Sequence, residues 1–308
     1  MTEFLRSWLS TSVKPRVRPL TYAGYRVNVE KHLVPTLGKI RLDQLTPRDV
    51  QEMMNSRLAA GLSTKTVTYV HQVLRTALGV AVRWDLVSRN VARLVDRPRI
   101  QRKQINPFSP FEAREFLRAV RGHRLEALFS VALALGLRQG EALGLRWQDI
   151  DFAAGTISVR NQLQRIDGKL TLVAPKTEKS RRTLVMPALI VERLKEHEKR
   201  QVAEKLWAGS SWQETGHVFA NHVGAPTQAR RVIEQFHEAL HKAGIRRVRF
   251  HDLRHSCATL LLVQGVSPRV VMEVLGHSEI ALTMNAYSHV VPELQRDAAR
   301  RMQSILER

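Results

Sequence analysis

Apolar residues recur at helical spacing through most of this chain, and one stretch near its middle changes to a period of two. Thr21 reads as the N-cap of a helix reaching about Leu33, with Pro35 and Gly38 marking its end. Thr46-Pro47 sets an N-cap before a proline at the first helical position, and Gly61 follows that helix. Ser63 caps a third, whose Val67, Val70, Val73, Leu74, Ala77, Leu78 and Ala81 share one face. Asn90 is placed to cap a short last turn. Short helices with one apolar face each predict a bundle over residues 1–96.

Residues 97–107 lack any period, are basic and polar, and hold two prolines, as a linker would. Ser109-Pro110-Phe111-Glu112 then combines an N-cap serine, a proline at N1 and a glutamate at N3, a capping box. A helix to about Arg121 is expected, then a strongly apolar one from Leu125 through Gly136, then a further helical turn to Trp147. Between Asp149 and Pro187 the stretches Thr156–Val159, Leu170–Val173 and Arg182–Val185 alternate. Asp167-Gly168 is a hairpin signal, and Pro175–Ser180 reads as a second turn. One three-stranded antiparallel sheet is predicted, with Lys176 at the tip of its second hairpin. Helices resume over Leu189–Leu206 and continue to the end of the chain. There Leu294, Ala298, Met302 and Ile305 form a stripe behind Pro292. The expected fold class is mainly α with a small antiparallel β-sheet (α+β): a helical domain over 1–96, a basic linker over 97–107, and a mostly helical domain over 108–308.

Composition narrows the partners. The 308 residues carry a net charge of +21 and a pI near 11.1. Solubility asks for a charge of only about 2–8 on a small domain, so an excess this large points to a polyanion bound through its phosphates. Lys14, Arg16, Arg18, Lys31, Lys39, Lys65 and Arg83 make double-stranded DNA the expected partner of the first domain, and the cationic linker can follow a phosphate backbone. Cys257 is the only cysteine, which suits a reducing compartment. The apolar run Val131–Leu137 falls far short of the roughly 18–20 residues of a membrane span. With no signal-peptide layout at the start, a soluble cytoplasmic protein without a membrane partner is expected.

The chemistry concentrates between His251 and Tyr287. His251-Asp252-Leu253-Arg254-His255, Leu275-Gly276-His277 and Tyr287 supply imidazoles for proton transfer, a guanidinium whose fork matches phosphate oxygens, and a phenol able to act as a nucleophile. Tyr22, Tyr25 and Tyr69 all fall in the first domain, which leaves Tyr287 as the phenol of the second. Arg138 stands where an apolar helix gives way to a glycine-flanked turn, with Glu141 placed to pair with it. A competing motif, His237-Glu238-Ala239-Leu240-His241, has the H-E-x-x-H spacing of zinc hydrolases. Its extended form wants a third histidine where this chain has Arg247, and a short pattern arises readily among 12 histidines.

Gly136-Leu137-Arg138-Gln139-Gly140-Glu141, a lysine on a hairpin, His251-x-x-Arg254-His255, Leu275-Gly276-His277 and Tyr287 together resemble the tyrosine recombinase (phage integrase) family in order and rough spacing. The resemblance covers most of the chain and implies an N-terminal core-binding domain and a catalytic domain. It implies that Arg138 and Arg254 clamp the scissile phosphate, Lys176 protonates the leaving 5′ oxygen, and His251 moves a proton. It further implies that His277 hydrogen-bonds the phosphoryl group and Tyr287 attacks. Lys179, close to Lys176, is the alternative general acid. No metal, nucleotide or other cofactor is implied. The partners implied are a specific duplex site, a homotetramer on paired sites joined through the C-terminal helix, and an accessory DNA-bending protein. Members that bind arm-type sites often carry an extra N-terminal domain, for which there is no room before Thr21. A type IB topoisomerase, a non-catalytic DNA-binding regulator and, last, a zinc hydrolase are the other readings.

Overall fold

The computed structural model describes residues 1–100, 106–175, 180–276, 299–300, 302–303 and 305–307. The chain divides into two compact units, Met1–Lys103 and Gln104–Arg308.

The first unit is helical: α1 (Thr2–Trp8), α2 (Pro19–Asn28), a short α3 (Val34–Leu37), α4 (Pro47–Ala59) and α5 (Thr64–Arg83). Caps define two of these starts. Thr46 Oγ1 accepts the Asp49 N–H while the Asp49 carboxylate accepts the Thr46 N–H at 2.8 Å, a reciprocal box. Ser63 Oγ accepts the Thr66 N–H at 3.2 Å. All seven residues of the predicted apolar face of α5 are buried, and Val67, Val70, Val73, Leu74, Ala77 and Leu78 pack in one core with Trp8, Leu33, Met53 and Met54. Truncating a core leucine such as Leu74 to alanine costs about 2–5 kcal/mol.

Three local expectations change. α1 was not anticipated, yet its Leu5 and Trp8 are fully buried. α2 starts at Pro19, not after Thr21, because a proline at the first position already holds the helical φ. Asn90 does not cap; its side-chain amide donates to the Arg75 carbonyl at 2.8 Å and so ties the last turn to α5.

The second unit opens on α6 (Pro110–Ala119), whose Ser109–Glu112 capping box forms with bonds of 2.8 and 3.1 Å. α7 (Glu126–Ala134) is buried from Ala127 to Leu133, as a helix without a polar face must be. Its Phe129 joins Phe108, Phe116, Phe236 and Phe250 in one aromatic cluster, with contacting ring centroids 5.5–6.3 Å apart. α8 spans only Gln139–Leu143; the turn near Trp147 is separate, over Trp147–Asp149.

The strands are β1 (Ile150–Asp151), β2 (Thr156–Val159), β3 (Gln162–Ile166), β4 (Lys169–Val173) and β5 (Arg182–Val185). They form two small antiparallel sheets where one was expected, ordered β1-β2-β5 and β3-β4. The Asp167-Gly168 turn explains the difference. Both residues have positive φ, 45° and 83°, and a two-residue turn of that kind joins only the strands that touch it. Residues 169–173 therefore pair with 162–166, and β5 pairs with β2, Ser158 opposite Thr183. β4 and β5 lie in different sheets, so they do not form the second hairpin that was expected; Lys176 itself lies outside the described residues. Gly140 and Gly144 let α8 lie on β3: a Cβ at Gly144 would stand 2.8 Å from the Gln162 Cα.

α9 (Ala188–Ala208), α10 (Ala229–Lys242), α11 (Asp252–Val263) and α12 (Pro268–Leu275) complete the described elements. The mainly helical fold with small antiparallel sheets is the one expected. No helix among the described residues is long and apolar enough to cross a membrane.

Candidate active site

The site is built around Gly136, where α7 ends. Gly136 has φ +61°, a left-handed conformation that a glycine adopts at little cost. Its carbonyl accepts a hydrogen bond from Arg254 Nη1 at 2.8 Å. Arg254 stands in the first turn of α11 and is 2% exposed. One turn of chain thus seats one arginine through its carbonyl and leads two residues later to the other.

Arg138 occupies the N-cap position of α8, in extended conformation. Its backbone N–H donates to Glu141 Oε2 at 3.1 Å and its Nη1 to Oε1 at 2.6 Å. The Arg138 side chain keeps 37% of its area exposed, whereas the carboxylate it grips is 2% exposed. Burial works to raise the Glu141 pKa, but the charges of Arg182 and Arg138, with their hydrogen bonds, outweigh it and hold it below its ordinary value. A buried carboxylate between two guanidiniums leaves one net positive charge and an accessible fork on Arg138.

His251 occupies the N-cap position of α11, without a capping hydrogen bond from its side chain. Burial among protein groups, then the charges of Arg254, Arg138 and Arg249, lower its pKa. Its ring meets that of His255 edge to face at 5.1 Å. His255 is pushed down to about 4, by burial first and by His251 next. Both imidazoles are therefore neutral at pH 7, the state from which a histidine accepts a proton. Asp252 holds the entry to α11: it accepts the Arg249 N–H at 2.8 Å and Arg249 Nη2 at 2.7 Å. Ser256 Oγ donates to the Asp252 carbonyl and accepts the Phe108 N–H, both at 2.8 Å.

α12 delivers the chain toward the remaining candidates. Ser267 caps its start, Gly276 ends it with φ +64°, and its Leu275 packs against Gly136. Of the predicted site residues, Arg138, His251 and Arg254 come together; Lys176, its alternative Lys179, His277 and Tyr287 lie outside the described residues. Most of the tail behind Pro292 does as well.

Arg182 was not anticipated from sequence. It is 7% exposed and reaches Glu141 with Nη2 at 3.1 Å. A signal was available: Arg182 shares its strand face with the buried Leu184, and an arginine in such a register requires a partner. Among the described residues, Ser158, Val159, Arg160, Asn161, Arg181, Arg182 and Thr183 line a pocket of about 540 Å³.

The H-E-x-x-H motif lies on α10 with its first histidine engaged. His237 Nε2 donates to the Val248 carbonyl at 3.2 Å, and Arg247, standing where a third histidine would be needed, donates to Nδ1 at 3.3 Å. Among the described residues no group of three or more His, Cys, Asp and Glu could hold a metal ion.

Comparison with known proteins identifies the family of the chain as a whole. Residues 106–293 match the phage integrase family, and residues 1–58 match the phage integrase N-terminal SAM-like domain. The chain is 32% identical, over 96% of its length and 81% of the relative's, to a tyrosine recombinase XerC-like protein of Caldanaerobacter subterraneus subsp. tengcongensis. It is 34% identical to an integrase of Streptomyces ambofaciens, over 91% of its length and 74% of that protein's. In fold it is similar to the Tn1549 transposon integrase solved with transposon right end DNA, with a TM-score of 0.82 at 21% identity over 98% of this chain and 99% of that one. A family match spanning more than half of the sequence, and a relative above 30% identity aligned along nearly all of it, lead to one conclusion: the chain belongs to the phage integrase family of tyrosine-type site-specific DNA recombinases.

Proposed function

We propose that this protein cuts duplex DNA at a specific site, holds the 3′ end on Tyr287, and rejoins it to a strand from a second site. The phenol oxygen of Tyr287 forms a bond to phosphorus as the bond to the 5′ oxygen breaks. Neutral His251 takes part in moving the phenolic proton, and Lys176 supplies one to the leaving oxygen. Arg138 and Arg254 bind the non-bridging oxygens and His277 adds a hydrogen bond. Each well-placed donor contributes about 3–4 kcal/mol to the transition state. The phosphotyrosine keeps the energy of the broken bond, so the return attack by a 5′ hydroxyl needs no nucleotide. The observation that carries this reading is the gathering of Arg138, Arg254 and a pKa-depressed His251 about the Gly136 turn.

A substrate nicked beside the scissile phosphate loses its short 5′ fragment and traps the covalent complex. Wild-type protein is expected to accumulate on the 3′ end, and Tyr287→Phe to bind the same DNA without becoming attached. Attachment by the Phe variant would overturn the assignment.

Exchange between two duplexes needs four strand cuts, hence four protomers held on paired sites in the cytoplasm, with a DNA-bending protein as a further partner where the site requires it. The stripe Leu294, Ala298, Met302 and Ile305 is the proposed contact between neighbours; Met302 and Ile305 are 56% and 68% exposed. Deletion from Pro292 onward should spare binding to one site while weakening synapsis and strand exchange. A truncated chain that still assembles and recombines normally would refute the tail's role.

A further inference from the structure

Arg182 is joined to three separate parts of the second unit. Nη2 reaches Glu141 Oε2 at 3.1 Å, Nη1 donates to the Ser180 carbonyl at 3.1 Å, and Nε donates to the Val274 carbonyl in the last turn of α12 at 2.7 Å. The same Glu141 carboxylate takes Arg138 on its other oxygen. A single lysine charge in place of Arg182 could not make all of these contacts, because they use the different edges of a planar fork.

We infer that Arg182 is a positioning residue for the Arg138 clamp: anchored to the end of α12, it holds Glu141 so that the carboxylate presents Arg138 to the scissile phosphate. Three features support this. Arg182 is nearly buried, so its guanidinium is fixed by its partners and not by solvent. Arg138 is the more exposed of the two cations on Glu141, with an edge left for a ligand. Lastly, α12 is the helix that leads into His277, so the clamp is tied to the segment that continues to the nucleophile. Partners behind a functional group commonly govern its activity by about 10- to 100-fold without touching substrate, through displacements of an ångström or less.

The inference rests on the phosphotyrosine reading, and its test uses the full-length protein on the nicked substrate. The quantity measured is the rate constant for covalent-complex formation at saturating protein. Partial unfolding would lower the amplitude and leave that constant unchanged. Arg182→Met is expected to bind DNA within about 3-fold of wild type and to cleave about 10- to 100-fold more slowly. Because Arg182 acts through Glu141, the Arg182→Met/Glu141→Gln pair should be no more than about 3-fold slower than the slower single variant. Replacing one non-bridging oxygen of the scissile linkage by methyl removes the charge the clamp neutralises. The deficit of Arg182→Met relative to wild type should then shrink by at least about 3-fold. Should Arg182→Met give no folded protein, Arg182→Lys carries the same cycle.

Multiplicative effects in the double variant, or a deficit unchanged on the neutral linkage, would overturn the inference. A wild type that cleaves beside an Arg182→Met that cleaves equally fast would overturn it alone, leaving the phosphotyrosine reading intact. A wild type that forms no covalent complex would overturn both.

Discussion

Gly136→Ala should injure this protein twice, through the backbone and through packing. The φ of +61° places residue 136 in the left-handed region, which costs an L-residue roughly 1–2 kcal/mol. The new Cβ would also stand 2.5 Å from Leu275 Cδ2 and 3.3 Å from Cys257 Sγ. Both neighbours are buried, so Leu275 cannot swing into solvent. Overpacking of that kind adds about 1–3 kcal/mol. Together the terms give about 2–5 kcal/mol out of a total stability of about 5–15 kcal/mol. For a unit of this size each kcal/mol is about 2–4 °C, so the calorimetric transition of Gln104–Arg308 should fall by about 4–20 °C. Gly155→Ala separates the two terms, since Gly155 has φ +62° with nothing within 4 Å of its Cβ. It should show the backbone cost alone. A shared shift in both variants would remove the packing half of the argument, and a Gly136→Ala protein melting within about 2 °C of wild type would refute it all. Where the variant remains folded, strand cleavage should still slow, because the carbonyl that seats Arg254 moves with the turn.

Arg254→Ala is expected to slow cleavage by at least about 100-fold, and Arg254→Lys to recover little, since a point charge lacks the fork; cleavage by Arg254→Lys near the wild-type rate would contradict the clamp. His197 is 2% exposed and burial, foremost, pushes its pKa down to about 4. The unfolded chain takes up that proton near pH 6.5 and the folded one refuses it until about 4, so stability should drop as pH falls through this window, by about 3 kcal/mol in all. Denaturant midpoints at pH 7 and pH 5 measure this, and a His197→Gln protein with the same pH slope would count against it. Strand cleavage should persist in excess EDTA, and His237→Ala should be mild; loss on chelation with recovery on adding zinc would revive the H-E-x-x-H motif.

Much of the architecture is legible in the sequence. Thr46, Ser63 and Ser109 each bond the N–H three residues on, and that interaction is decided within a single turn. The apolar face of α5 followed from period alone, and the Asp167-Gly168 turn from two residues that accept positive φ. In the site, the motif around Arg138 carried its own partner, Glu141, three positions away.

What sequence could not supply was every choice made between distant segments. α1 is too short to show a period, and its burial depends on α3 and α5, which pack against it. The alternating stretches could be recognised as strands, but not that β2 would pair with β5, 25 residues away, while β3 and β4 formed a sheet of their own. Arg182 stands in an alternating strand, but that its partners would be Glu141 of α8 and the Val274 carbonyl of α12 depends on how those helices pack beside it. The Gly136 carbonyl meets Arg254 across 118 residues. A helix cap or a two-residue turn is settled by sterics and hydrogen bonds among neighbours, so its signature lies in adjacent letters. A pairing between remote segments is settled by which apolar faces and buried charges are satisfied at once, and that balance exists only in the assembled tertiary structure.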